Sequence, residues 1–137
     1  IAEYLAERCP DAGLWPRDVA ARAMARSACA EMHSGFGALR SHMPMDMQRN
    51  APLVSVVDDV QNDIRRIIAL WADCRQRFGQ SGPYLFGQVC AADAYFAPVA
   101  SRLRSYGVQL PEEAAAYVDT IFQWPAFQRW LQAALKE

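Results

Sequence analysis

The chain has 137 residues, 53% of them hydrophobic, and a formal net charge of −1. That length suits one domain with a substantial buried core, and the composition argues against a disordered tail or a polyanion-binding surface. No apolar run approaches the roughly 20 residues needed to span a bilayer. The start, IAEYLAERCP, has neither a basic leader nor a small-residue cleavage site, so a cytoplasmic, reduced setting is expected. The four cysteines, Cys9, Cys29, Cys74 and Cys90, are widely spaced and form no CxxC or Cys/His cluster. They read as packing thiols, with no metal site expected.

Strand signals are nearly absent, and the chain reads as helices divided by short Pro/Gly punctuation. It begins mid-helix: Ile1, Tyr4 and Leu5 have helical spacing with no N-cap before them, which predicts an upstream part outside this sequence. The first helix ends near Arg8, and PDAGLWP (10–16) is a linker. A long helix is predicted from about Arg17 to His42, with an Asp18–Arg22 pair near its start and Met32, Phe36, Leu39 and Met43 as an apolar stripe. Its small residues, Ala20 through Ala30, permit close helix approach. Gly35 and Gly37 interrupt it at about 1 kcal/mol each, and they suggest a bend or a close approach by a ligand or neighbouring domain.

MPMDMQRNAP breaks the chain, and a third helix follows to about Phe78, with Ser55 and Asp58 resembling a capping box. Ile64, Ile67, Ile68, Leu70 and Trp71 are its predicted inner face. After a loop over 79–89 comes a fourth helix, about Ala91 to Tyr106, containing Pro98 and followed by Gly107 as a C′ residue. A fifth covers about Glu112 to Gln123, and the last starts at Pro125 and ends near Leu135. The predicted fold class is all-α, a bundle of five to six helices.

The stretch "GPYLFGQVCAADAYFAPVASRLRSYG" is the most specific in the chain. Cys90 stands at a candidate N-cap and Asp93 at N3, from which a carboxylate reaches back to the N-cap N–H and complements the helix dipole. In a central helix that carboxylate is buried and fixes the helix start. The stretch resembles the capping box that opens the buried central helix of glutathione S-transferases, where a Ser/Thr-x-x-Asp motif starts it. The EYL-like helix end, the linker "LWP", the long helix and a final Trp124-Pro-Ala-Phe-Gln-Arg-Trp130 segment follow in the same order over essentially the whole chain. Cys90 departs from the family pattern, and a thiol is a poor cap acceptor.

The resemblance implies that residues 1–9 are the last helix of a thioredoxin-like domain, 10–17 a linker and 18–137 the all-helical C-terminal domain. That absent half would carry most of the glutathione site and the side chain that meets the glutathione sulfur. The family's chemistry is attack by the glutathione thiolate on an electrophilic small molecule, usually in a homodimer, without nucleic acid or membrane as partner. Within the long helix, Glu31-Met-His-Ser-Gly-Phe36 is similar to a Glu-Leu-His-Lys-Gly-Phe segment of bacterial beta-class enzymes. Carried over, His33 is the candidate catalytic assistant, near the sulfur, and Ser34 takes the place of the lysine. Arg26 falls where a residue reaches glutathione across the dimer interface. Met32, Phe36, Tyr95, Val99, Arg102 and Tyr106 are the candidate electrophile pocket.

On a continuous helix Arg22, Arg26, His33 and Arg40 project within roughly 40° of one another, which makes either a solvated basic stripe or a face for an anionic ligand. An imidazole there can hydrogen-bond a thiol or, protonated, stabilise a thiolate. Plain core packing is the competing account of Met32, Phe36 and Val99, and contacts with a neighbouring helix that of Arg102 and Tyr106. The competing functional class is a glutathione-transferase-like module without transferase activity, of the kind attached to translation factors, aminoacyl-tRNA synthetases and polymerase-associated stress proteins. An unrelated helical bundle is the third alternative.

Overall fold

The computed structural model describes residues 1–52 and 55–136. Among them are seven α-helices and no strand: α1 (Ala2–Arg8), α2 (Val19–Ser34), α3 (Gly37–His42), α4 (Asp58–Phe78), α5 (Ala91–Ser105), α6 (Glu112–Gln123) and α7 (Pro125–Ala134). The all-α expectation holds. A 3-10 turn over Pro10–Ala12 tightens the segment read as a plain linker.

α5 is the centre of the fold. It packs on α2 and α6, while α4 packs on α3, α2 and α6. Most of the α5 side chains are buried, from Ala91 through Ser105. The small residues of α2 that face it, Ala21, Ala25 and Ala28, are buried as well, so two backbones approach closely across alanine. Trp71 of α4 meets Phe96 and Tyr117 edge-on, with ring centroids 5.9 and 4.7 Å away, and this aromatic trio joins α4, α5 and α6. Of the predicted α4 inner face, Ile64, Ile67, Leu70 and Trp71 are buried, and Ile68 is half-buried against the core.

The predicted long helix is two helices. α2 ends at Ser34, Gly35 is its C-cap, and Phe36 adopts a left-handed conformation (φ 56°) before α3 begins. A Cβ at Gly35 would lie 2.7 Å from the Glu31 carbonyl oxygen, so glycine is required there by close approach. A left-handed backbone costs a non-glycine residue about 1–2 kcal/mol. Phe36 tolerates it because its ring is buried in the core together with Met32, Leu39 and Met43. The apolar stripe is therefore kept while the backbone breaks beneath it.

Capping at the helix starts is partly remote. Asp18 caps α2 locally, accepting from Ala21 N–H at 2.8 Å, and Arg22 turns instead to the Pro16 and Arg17 carbonyls. α3 is capped from α4: Asp63 Oδ2 accepts the Leu39 N–H at 2.9 Å. The capping box read into Ser55 and Asp58 is not formed, because α4 starts at Asp58 with Val57 as its N-cap. There the two aspartates Asp58 and Asp59 act on the helix dipole rather than as a reciprocal cap.

Candidate functional site

The start of α5 is built as the spacing predicts. Asp93 is fully buried, and its Oδ2 accepts the Cys90 N–H at 2.9 Å. Its Oδ1 accepts the Leu85 N–H at 3.2 Å and the Tyr117 hydroxyl at 3.0 Å. One carboxylate thus ties the preceding loop, the α5 N-terminus and α6 together. The reciprocal arm of the box is the Cys90 sulfur facing the Asp93 N–H, a weak acceptor as expected of a thiol. The next orphan donor, Ala91 N–H, is met by the Leu14 carbonyl at 2.8 Å, so the LWP linker is docked onto the same helix end. Burial pushes the Asp93 pKa above the ordinary carboxylate value, and the Cys90 and Leu85 N–H groups and the Tyr117 hydroxyl pull the other way. Burial pushes the Cys90 thiol up to about 12.

Of the residues that the resemblance assigns to catalysis and glutathione binding, His33 and Ser34 lie in the exposed last turn of α2 and Arg26 on its exposed middle. His33 is exposed, and its ring makes no hydrogen bond to the described residues. The Ser34 hydroxyl donates to the Ala30 carbonyl at 2.9 Å. Arg26 is held fork to fork by Glu3 of α1, Nε to Oε1 at 2.8 Å and Nη2 to Oε2 at 2.6 Å, and it also lies over the Trp15 ring.

No free basic stripe results. The break at Gly35–Phe36 takes Arg40 off the α2 projection, and its Nη2 returns to the Gly35 and His33 carbonyls at 2.8 and 3.3 Å. It closes the C-terminus of α2, as a cation at the negative end of a helix should.

The predicted electrophile pocket divides. Met32, Phe36, Val99 and Tyr106 belong to one buried cluster, with Tyr95 packed half-buried against it. Arg102 and Tyr106 face the segment after α3: Arg102 Nε donates to the Met43 carbonyl at 2.8 Å and the Tyr106 hydroxyl to that of Pro44 at 2.9 Å. Ser105, unnoticed in the sequence, adds a bond from its hydroxyl to the Asp46 carbonyl at 3.0 Å. Spacing on one helix puts Arg102, Ser105 and Tyr106 near one another, but nothing local says that they hold a chain segment nearly 60 residues away. Burial and the nearby Arg40 charge lower the Arg102 pKa.

A large open cavity lies elsewhere, between α4 and α6. It measures about 820 Å³ and is lined by Arg75, Gln76, Glu112, Glu113, Tyr117 and Thr120 among others, and it holds none of the residues picked from sequence. Arg75 already donates to the Pro83 and Tyr84 carbonyls. Among the described residues, no group of three His, Cys, Asp or Glu side chains is placed to hold a metal ion, and no helix is long and apolar enough to cross a membrane. Comparison with models of known protein families and with curated proteins finds no match.

Proposed function

We propose that the chain is the all-helical C-terminal domain of a glutathione transferase of bacterial type, forming the electrophile-side wall of a site completed by an N-terminal thioredoxin-like domain and a second subunit. The observation that carries this reading is the buried Asp93 at the third position of the central helix, bonded to Cys90, Leu85 and Tyr117. It joins the order of motifs that resembles the family from the EYL helix to the Trp124–Trp130 segment. His33, exposed beside the end of α2, is the residue assigned to the thiolate, and the co-substrate is glutathione.

A second reading is a glutathione-transferase-like binding module without turnover. Two observations favour it: Arg26 is occupied by Glu3, and Met32, Phe36 and Val99 are closed into the core. Retention of the full-length protein on immobilised glutathione, with conjugation of chlorodinitrobenzene, separates the two. The enzyme reading expects both activities, with conjugation reduced in His33→Ala. If neither is present, the module reading stands. A His33→Ala variant equal to wild type removes the histidine from the chemistry. Residues 1–137 alone should not conjugate, and measurable turnover by them would refute the assignment of the main glutathione site to another domain.

A further inference from the structure

Two recesses between α4 and α6 share Ala72, Arg75, Glu112 and Glu113 in their linings and so form one groove. Its wide arm is the open cavity of about 820 Å³, and its narrow arm holds about 250 Å³. Apart from the shared residues, the narrow arm is lined by Ile68, Trp71, Pro111 and Ala114, an apolar wall. Trp71 is 1% exposed, and its Nε1 has no hydrogen-bond partner among the described residues. Glu112 and Glu113 are exposed in the first turn of α6, where they complement the helix dipole. Neither forms an ion pair among the described residues. Arg75, the one cation on either lining, turns its Nη1 to the Pro83 and Tyr84 carbonyls at 2.7 and 2.8 Å. Two unanswered carboxylates against one guanidinium leave the groove negative.

We propose that this groove binds a small arylalkyl ammonium ion, with its ring in the narrow arm and its charged end at Glu112 and Glu113. An apolar cavity of about 150 Å³ already accepts benzene, so the narrow arm has room for one ring. Trp71 meets Phe96 and Tyr117 edge-on, and a ligand ring in the arm would extend that packing. An unbonded indole N–H in the wall of an apolar recess is a cost that the π face of such a ring relieves. The glutamates line both arms, within reach of an ammonium on a short tether. Attraction between exposed charges asks for the right sign at short range rather than for a fixed coordination geometry. An anionic ligand would be repelled by the same pair. The site shares no residue with the glutathione and electrophile positions and is independent of the transferase reading.

The test is a titration of the protein with 2-phenylethylammonium, followed by calorimetry and by the indole N–H resonances. Saturable binding to one site is expected, with the Trp71 resonance moving and that of Trp15, the other unbonded indole, staying still. Ethylammonium, which keeps the charge, and 2-phenylethanol, which keeps the ring, should each bind at least about tenfold more weakly. Glu112→Gln with Glu113→Gln should weaken binding by about tenfold and reduce its salt dependence. The thermal transition should persist in that variant, because both side chains are exposed. Ala72→Leu, on the exposed side of α4, fills the groove and should block binding. No saturation by about 10 mM, equal affinity for the alcohol, or undiminished binding by either variant would overturn the proposal.

Discussion

The Tyr117 hydroxyl donates to Asp93 Oδ1 at 3.0 Å inside the core, so α6 is fastened to the first turn of α5 by a bond with no access to water. Asp93→Ala would leave two buried N–H groups and this hydroxyl without an acceptor. We expect a loss of about 3–5 kcal/mol in urea unfolding, in the range of buried hydrogen-bond networks. Tyr117→Phe removes only one donor and should cost about 1–2 kcal/mol. In the Asp93→Ala background the same change should cost less, because it then deletes an orphan, and a double-mutant cycle reads that difference. The raised pKa also has a sign. The native state keeps a proton that the unfolded chain has lost, so this carboxyl contributes stability below its ordinary value of 3.8 and loses that contribution as pH rises through its native value.

The two glycines near the end of α2 should respond in opposite directions to alanine. At Gly35 a Cβ meets the Glu31 carbonyl oxygen at 2.7 Å, a backbone atom that cannot easily yield, so Gly35→Ala should destabilise by about 1–3 kcal/mol. At Gly37 nothing lies within 4 Å and the residue opens α3, so Gly37→Ala should stabilise by about 0.4–1 kcal/mol through the unfolded state. Chemical denaturation of both variants checks the pair, and equal signs would contradict the assigned break.

Cys29, Cys74 and Cys90 are buried, and burial raises each thiol from its ordinary value of 9.0 to about 12. Cys9 is exposed. A disulfide reagent at neutral pH should therefore titrate one thiol in the native protein, the others appearing only with unfolding. The native state also retains three protons that the unfolded chain releases between about pH 9 and 12. Stability should fall with rising pH across that window, with a slope approaching about 1.4 kcal/mol per pH unit for each thiol. Replacing one of them with alanine should flatten the slope, whatever it does to stability at neutral pH.

Tyr106→Phe deletes the hydrogen bond to the Pro44 carbonyl while keeping the buried ring. A loss of about 1 kcal/mol is expected, together with faster amide exchange around Met45 and Met47 and no change at α6. A uniform rise in exchange across the molecule would mean that the bond supports the whole fold rather than this segment.

Much of this architecture is legible in the sequence because the signals are local. Gly79, Gly107 and Pro125 mark helix ends, and three-residue spacing reveals the role of Asp93 at the start of α5. The break in the predicted long helix is half legible. The glycines announce weakness, but Phe36, not a glycine, takes the left-handed conformation, and only the core that receives its ring makes this tolerable. The arginines of the supposed stripe were misleading for a related reason. Their partners are backbone carbonyls and a carboxylate from another helix, which periodicity does not encode. Helical spacing pairs Arg102 with Tyr106, but what they hold depends on a chain reversal set by long-range packing.

The carboxylate that caps α3 comes from Asp63, 24 residues downstream of Leu39 and on another helix. α2 carries its own cap in Asp18 and can begin to wind as soon as its sequence exists. α3 has six residues, too few to persist alone, and it receives its cap only when α4 arrives. α3 is therefore held only while α4 is docked against it, and local opening of α4 should expose the Leu39 amide as well.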